Sequence, residues 1–76
     1  MKNKNNELVA SMLKNIRVSK GYTQTDVANK LKKPQSYVSK YESSEKQLDF
    51  TELVCICKVL EVDLCEFCKE YIEKIK

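Results

Sequence analysis

Three observations predict an all-α domain of five short helices. Apolar residues recur at helical spacing along almost the whole chain. No stretch alternates apolar and polar residues for long, and the β-branched residues are scattered singly, so strand signals are missing. Three pairs of a capping residue and an acid three positions on mark helix starts. The 76 residues suit a single domain, residues 1–76, with a folded core from about 7 to 75.

Leu8, Val9, Met12, Leu13 and Ile16 form one apolar stripe, which places a first helix at about 7 to 19, ended by Gly21. Thr23 caps a short second helix at about 24 to 31, with Asp26 at its third position and Val27, Ala28 and Leu31 on its buried side. Lys32 and Lys33 make a tight connection. Pro34, which lacks an N–H, opens a third helix running to about 43. Ser43 to Gln47 read as a polar loop. Asp49 with Glu52 and Asp63 with Glu66 start a fourth helix at about 50 to 61 and a fifth at about 64 to 75. The second and third helices have the dimensions of a helix-turn-helix unit.

Absences narrow the function. The chain has no His, one Gly and one Pro. Without His there is no Ser-His or Cys-His nucleophile pair and no two-Cys two-His zinc site. One Gly cannot build a phosphate-cradling loop, so nucleotide chemistry is excluded and an enzyme is not expected. The longest apolar run, Leu53 to Cys57, is far short of a membrane span, and the opening MKNKNNEL lacks a signal-peptide core, so a cytoplasmic protein is expected. No cofactor and no small-molecule ligand are expected.

Charge is unevenly placed. The net charge is +3, but residues 1–47 hold ten Lys or Arg against four acids, and residues 48–76 hold four Lys against seven. The amino-terminal part is therefore the candidate anion-binding surface. On the third helix, wound at about 100° per residue, Gln35, Ser36, Ser39, Lys40 and Ser43 fall within about 140° of one another, opposite Val38 and Tyr41. That outer face holds hydrogen-bond donors suited to base edges or phosphates and no carboxylate. An ordinary solvated face is the competing reading of the same residues.

The run TQTDVANKLKKPQSYVSKYES resembles the helix-turn-helix of the XRE family of Cro/cI-type DNA-binding proteins. The resembling features are Gln24 opening the second helix, Ala28 at its fifth position, a polar start to the third, and Tyr41-Glu42 at its end, over roughly residues 10 to 68. The resemblance implies a compact, lambda-repressor-like five-helix domain binding an operator in double-stranded DNA as a homodimer, most simply as a repressor. It implies base reading by Gln35, Ser36 and Lys40, with Ser39 on the same face. It further implies phosphate binding by Gln24, and Thr23, Tyr37, Ser43, Lys46 and Gln47 are the other candidates for phosphate contact. For Tyr37 two roles stay open: a hydroxyl on a phosphate, or cover for the core edge. Lys2 and Lys4 form either a basic arm or a frayed terminus.

Arg17 and Glu42 match a family salt bridge between the first helix and the end of the third. Arg17 is the only Arg of the fourteen basic residues, and a planar fork suits a partly buried carboxylate where Lys would not. The family commonly has Gly at two positions occupied here by Lys32 and Ser44, and the turn at Lys32 is expected to be strained or slightly reshaped.

Two expectations concern the acidic half. Leu64, Phe67, Cys68, Tyr71, Ile72 and Ile75 make a stripe three turns long, more than one neighbouring helix covers. Phe67, Tyr71, Ile72 and Ile75 are therefore expected at a dimer interface; the competing reading is that the whole stripe closes the core of one subunit. Cys55, Cys57, Cys65 and Cys68 are expected as free thiols, because Cys55 and Cys57 project about 200° apart and do not converge on one metal. An adaptor of the same fold acting through a protein partner, as an antirepressor or antitoxin does, is the alternative function.

Overall fold

A computed structural model describes residues 4–76. Five helices follow in order: α1 Lys4–Ser19, α2 Gln24–Leu31, α3 Gln35–Glu42, α4 Phe50–Val59 and α5 Leu64–Ile75. No strand occurs among the described residues. The α2–α3 pair is the most extensive contact, α1 packs against α3 and α5, and α4 packs against α2 and α5.

Each helix spends its predicted stripe on one core. Met12 and Leu13 from α1, Val27 and Ala28 from α2, Val38 and Tyr41 from α3, Ile56 and Cys57 from α4, Leu60 beyond it and Phe67 from α5 are all buried. Tyr41 is the largest of the nearly inaccessible side chains, and its ring meets that of Tyr37 edge to face at 5.8 Å.

The amino-terminal ends are built as the sequence indicated. Thr23 and Asp26 exchange side-chain and backbone hydrogen bonds in a capping box, as do Asp49 and Glu52. Asp63 is a simpler cap, accepting from the N–H groups of Cys65 and Glu66. Pro34 sits one position earlier than expected, as the N-cap of α3 rather than its first helical residue, with extended backbone and no side-chain cap.

The carboxy-terminal ends share one device. Gly21, Lys32, Ser44 and Glu61 all have positive φ, between 59° and 79°. After each, the next N–H reaches back five residues: Tyr22 to Arg17, Lys33 to Ala28, Glu45 to Lys40 and Val62 to Cys57, at 2.9 to 3.1 Å. This left-handed closure satisfies helix-end carbonyls, and it ordinarily recruits glycine. Of the two turns open at Lys32 the strained one is present, and Ser44 closes α3 in the same way. A third non-glycine closure at Glu61 was not expected, and it stops α4 at Val59 instead of 61.

One further boundary differs. α1 begins at Lys4, a turn earlier than periodicity indicated, because the polar residues ahead of Leu8 carry no apolar signal. Lys4 is thus helical and not part of an extended arm, and Lys2 lies outside the described residues.

Candidate nucleic-acid interface

Gln35 and Ser36 are exposed at the first turn of α3, with Lys40 exposed one turn on and Ser39 half-buried beside it. Lys40 makes no ion pair among the described residues. Glu42, the only carboxylate on α3, turns inward and its side chain is 3% exposed. The outward face of the helix therefore carries amide, hydroxyl and ammonium groups alone.

A hydrogen-bonded chain runs from the interior to this face. Arg17 Nε and Nη2 donate to Glu42 Oε2 and Oε1 at 2.7 and 3.1 Å, while Arg17 Nη1 donates to the Tyr22 carbonyl at 2.7 Å. Gln24 Nε2 donates to Glu42 Oε1 at 3.0 Å, and Gln24 Oε1 accepts from Gln35 Nε2 at 2.6 Å. The bridge expected between Arg17 and Glu42 is thus present, bidentate and mostly buried. Two consequences follow for the surface. The first residue of α3 is oriented by the first residue of α2, and Gln24 is oriented by a fixed carboxylate.

The flank of α3 is organised differently. Tyr37 is half-buried and its Oη donates to Glu52 Oε2 at 2.9 Å. Lys46 Nζ lies 3.1 Å from the same oxygen. The ammonium groups of Lys33 and Lys46 stand 5.4 and 5.7 Å from the Tyr37 ring centroid. The Tyr37 ring covers the core edge and its hydroxyl faces Glu52. The hydrogen bond from Asp49 N–H, then those of Tyr37 and Lys46, hold the Glu52 carboxyl below its usual range. Burial, then Glu52, raises the Tyr37 phenol well above its ordinary value.

The remaining candidates are scattered around these two features. Thr23 is exposed and its hydroxyl oxygen is engaged by the Asp26 N–H. Ser43 Oγ donates to the Lys40 carbonyl at 3.1 Å, which ties it to the end of α3. Gln47 is exposed on the loop, away from α3 along the chain. Glu52 was missed by sequence reasoning as a site neighbour. Its place in the capping box explained it fully there, and no local spacing reports a contact fifteen residues away.

Residues 13–67 match the helix-turn-helix family. The chain belongs to that family. The match spans both helices of the motif and most of the core, as the XRE-type resemblance implied. Among solved structures, this family member is similar to the wild-type restriction-modification controller protein C.Esp1396I, at 32% identity and a TM-score of 0.89 over 97% of each chain. The same controller protein as a tetramer in complex with its natural 35 base-pair operator gives identical values. A triclinic form gives 33% identity and a TM-score of 0.86, covering 96% of this chain and 95% of that one. No curated protein matches the chain.

The interface expected on α5 needs correction at one residue. Phe67 is 4% exposed and belongs to the core of its own subunit, so its ring has no surface to offer a partner. Tyr71 is half-buried against the same core. Ile72 and Ile75 remain open, 51% and 44% exposed, and Phe50 at the start of α4 is more exposed still. Phe50 and Tyr71 line a common depression, so the apolar surface joins α4 to α5. The four cysteines are free, and no group of three or more metal-ligating residues occurs among the described residues. No helix among them is long and apolar enough to cross a membrane.

Proposed function

We propose that this chain is a sequence-specific double-stranded DNA-binding transcription regulator, a cytoplasmic, non-enzymatic repressor that acts as a homodimer. The carrying observation is the chain of hydrogen bonds from Arg17 through Glu42 and Gln24 to Gln35. A solvated surface helix has no need of a buried ion pair to hold its first side chain; a helix that reads bases does, since misorientation forfeits the bond.

In this reading α3 enters the major groove. Gln35 bonds adenine through its amide, Lys40 favours guanine, and Ser36 adapts, with Ser39 at the edge. Gln24 Nε2 has a second hydrogen for a phosphate, near the free N–H groups of the α2 terminus. Thr23, Ser43, Gln47, Tyr37 and Lys46 supply further backbone contacts. The relative C.Esp1396I binds its operator as a tetramer. For this chain, two subunits joined through Ile72, Ile75, Tyr71 and Phe50 would present paired α3 helices to half-sites about one helical turn, 34 Å, apart.

Selecting bound duplexes from a random pool, at two salt concentrations, tests the reading. A pseudo-palindromic consensus with that spacing is expected. Enrichment of no sequence, with binding lost at moderate salt, would favour the adaptor function instead. Substituting Gln24→Ala should weaken binding to all duplexes and also blur the base preference at the Gln35 position, because Gln35 loses its tether.

A further inference from the structure

Beside α3, one carboxylate occupies a place built for an anion. Glu52 Oε2 accepts from the Tyr37 hydroxyl at 2.9 Å and pairs with the Lys46 ammonium at 3.1 Å. Its Oε1 accepts from the Asp49 N–H at 3.0 Å, at the amino-terminal turn of α4. Lys33 adds a second ammonium, 5.4 Å from the Tyr37 ring centroid. A hydroxyl donor, ammonium groups and a backbone N–H at a helix start are the donor set that a DNA phosphate takes. The present occupant is the protein's own. The Lys46 and Glu52 side chains are 35% and 26% exposed, so an outside anion reaches both without unfolding.

We propose that Glu52 is a built-in competitor for the DNA backbone, holding Tyr37 and Lys46 in the free protein and yielding them to a phosphate when a duplex docks. The proposal rests on the DNA-binding reading and adds the residue that governs how tightly indifferent duplex is held. Moving Lys46 from a carboxylate to a phosphate exchanges one anion for another. The cation released from DNA is offset by the one that Glu52 attracts, so the driving force from counterion release is small. The exchange also needs a phosphate placed to receive both donors. A duplex docked out of register leaves them on Glu52, so the residue lowers non-operator affinity more than operator affinity.

Glu52→Gln tests this, because an amide at the third helical position still accepts from the Asp49 N–H while the charge is removed. A labelled mixed-sequence duplex is titrated with wild type, Glu52→Gln, Lys46→Met and the double variant across a salt series, each protein's melt being recorded. Glu52→Gln is expected to bind about three- to tenfold tighter at low salt, with a salt slope steeper by about 0.9 per subunit. The gain should be much smaller in the Lys46→Met background, where only the Tyr37 hydroxyl is left to be freed, and the steeper salt slope should be lost there. Equal affinity of wild type and Glu52→Gln overturns the proposal, and so does a gain that persists undiminished without Lys46, which assigns the effect to lost negative charge alone. Should Glu52→Gln fail to fold, the wild-type Glu52 carboxyl carbon, followed by NMR, decides: it shifts on adding duplex if the exchange occurs and stays if Glu52 keeps its partners. Wild type that binds no duplex at any salt refutes the DNA-binding reading itself, a result distinct from either of the others.

Discussion

Glu42 accepts three hydrogen bonds, two from Arg17 and one from Gln24, with its side chain almost wholly enclosed. Removing one partner of such a pair leaves the other charge buried and unmatched. Glu42→Ala is therefore expected to lower stability by about 3 to 5 kcal/mol. Arg17→Lys keeps the charge but loses the fork, and should lose a large part of the same stability in urea unfolding. Equal midpoints for Arg17→Lys and wild type would mean that the planar geometry is irrelevant. Cys57 lies in the core. Burial, reinforced by Cys68, pushes its thiol up from 9.0 to about 11. The folded protein thus favours the neutral thiol, an advantage present below pH 9 and lost as the pH climbs through 11. Alkylation of the native protein at pH 8 should modify the exposed Cys55 and Cys65 and spare Cys57 until the chain is unfolded, as peptide mass mapping will report.

The helix ends connect sequence to shape most directly. Lys32, Ser44 and Glu61 close their helices in a left-handed conformation that an L side chain adopts at a cost of about 1 kcal/mol. Lys32→Gly is expected to stabilise the fold by roughly 0.5 to 1 kcal/mol, after allowance for the extra freedom of glycine in the unfolded chain. Gly21→Ala should have the opposite sign, through backbone strain and not through a clash, since a Cβ there meets nothing within 4 Å. Thermal melts of the two variants moving in the same direction would contradict this account of the turns. Legibility followed the same physics. The periodic stripes, the capping acids and the closures at Gly21, Lys32 and Ser44 were readable because each leaves a local pattern or a family position. Glu61 leaves neither, which is why α4 ends two residues before its periodicity does.

At the scale of the whole molecule, the candidate site was legible where it depends on one helix face and illegible where it depends on contacts between elements. Winding α3 suffices to put Gln35, Ser36 and Lys40 on one exposed face. The Gln24–Gln35 bond and the grip of Glu52 on Tyr37 and Lys46 arise only once α2, α3 and α4 are assembled. Phe67 lies in the core and not on a dimer surface for a related reason: periodicity reports that a stripe is apolar, not which part of it the same chain covers. The exposed remainder, Ile72 and Ile75 with Phe50, carries the dimer proposal. Ile72→Glu places a charge in that surface and should give a monomer by sedimentation at concentrations where wild type is a dimer, with operator affinity lost in parallel. A wild-type chain that sediments as a monomer at high micromolar concentration would remove the dimer from the mechanism.

The proposed function depends above all on α3 reading base edges. Its most direct test is a binding titration of Gln35→Ala and Lys40→Ala on the selected duplex and on single-base variants of it. Each substitution is expected to weaken binding by about 1 to 3 kcal/mol per half-site and to abolish discrimination at one base position while leaving the others intact. Unchanged affinity and unchanged base preference in both variants would contradict the claim and transfer the function to a protein-binding surface.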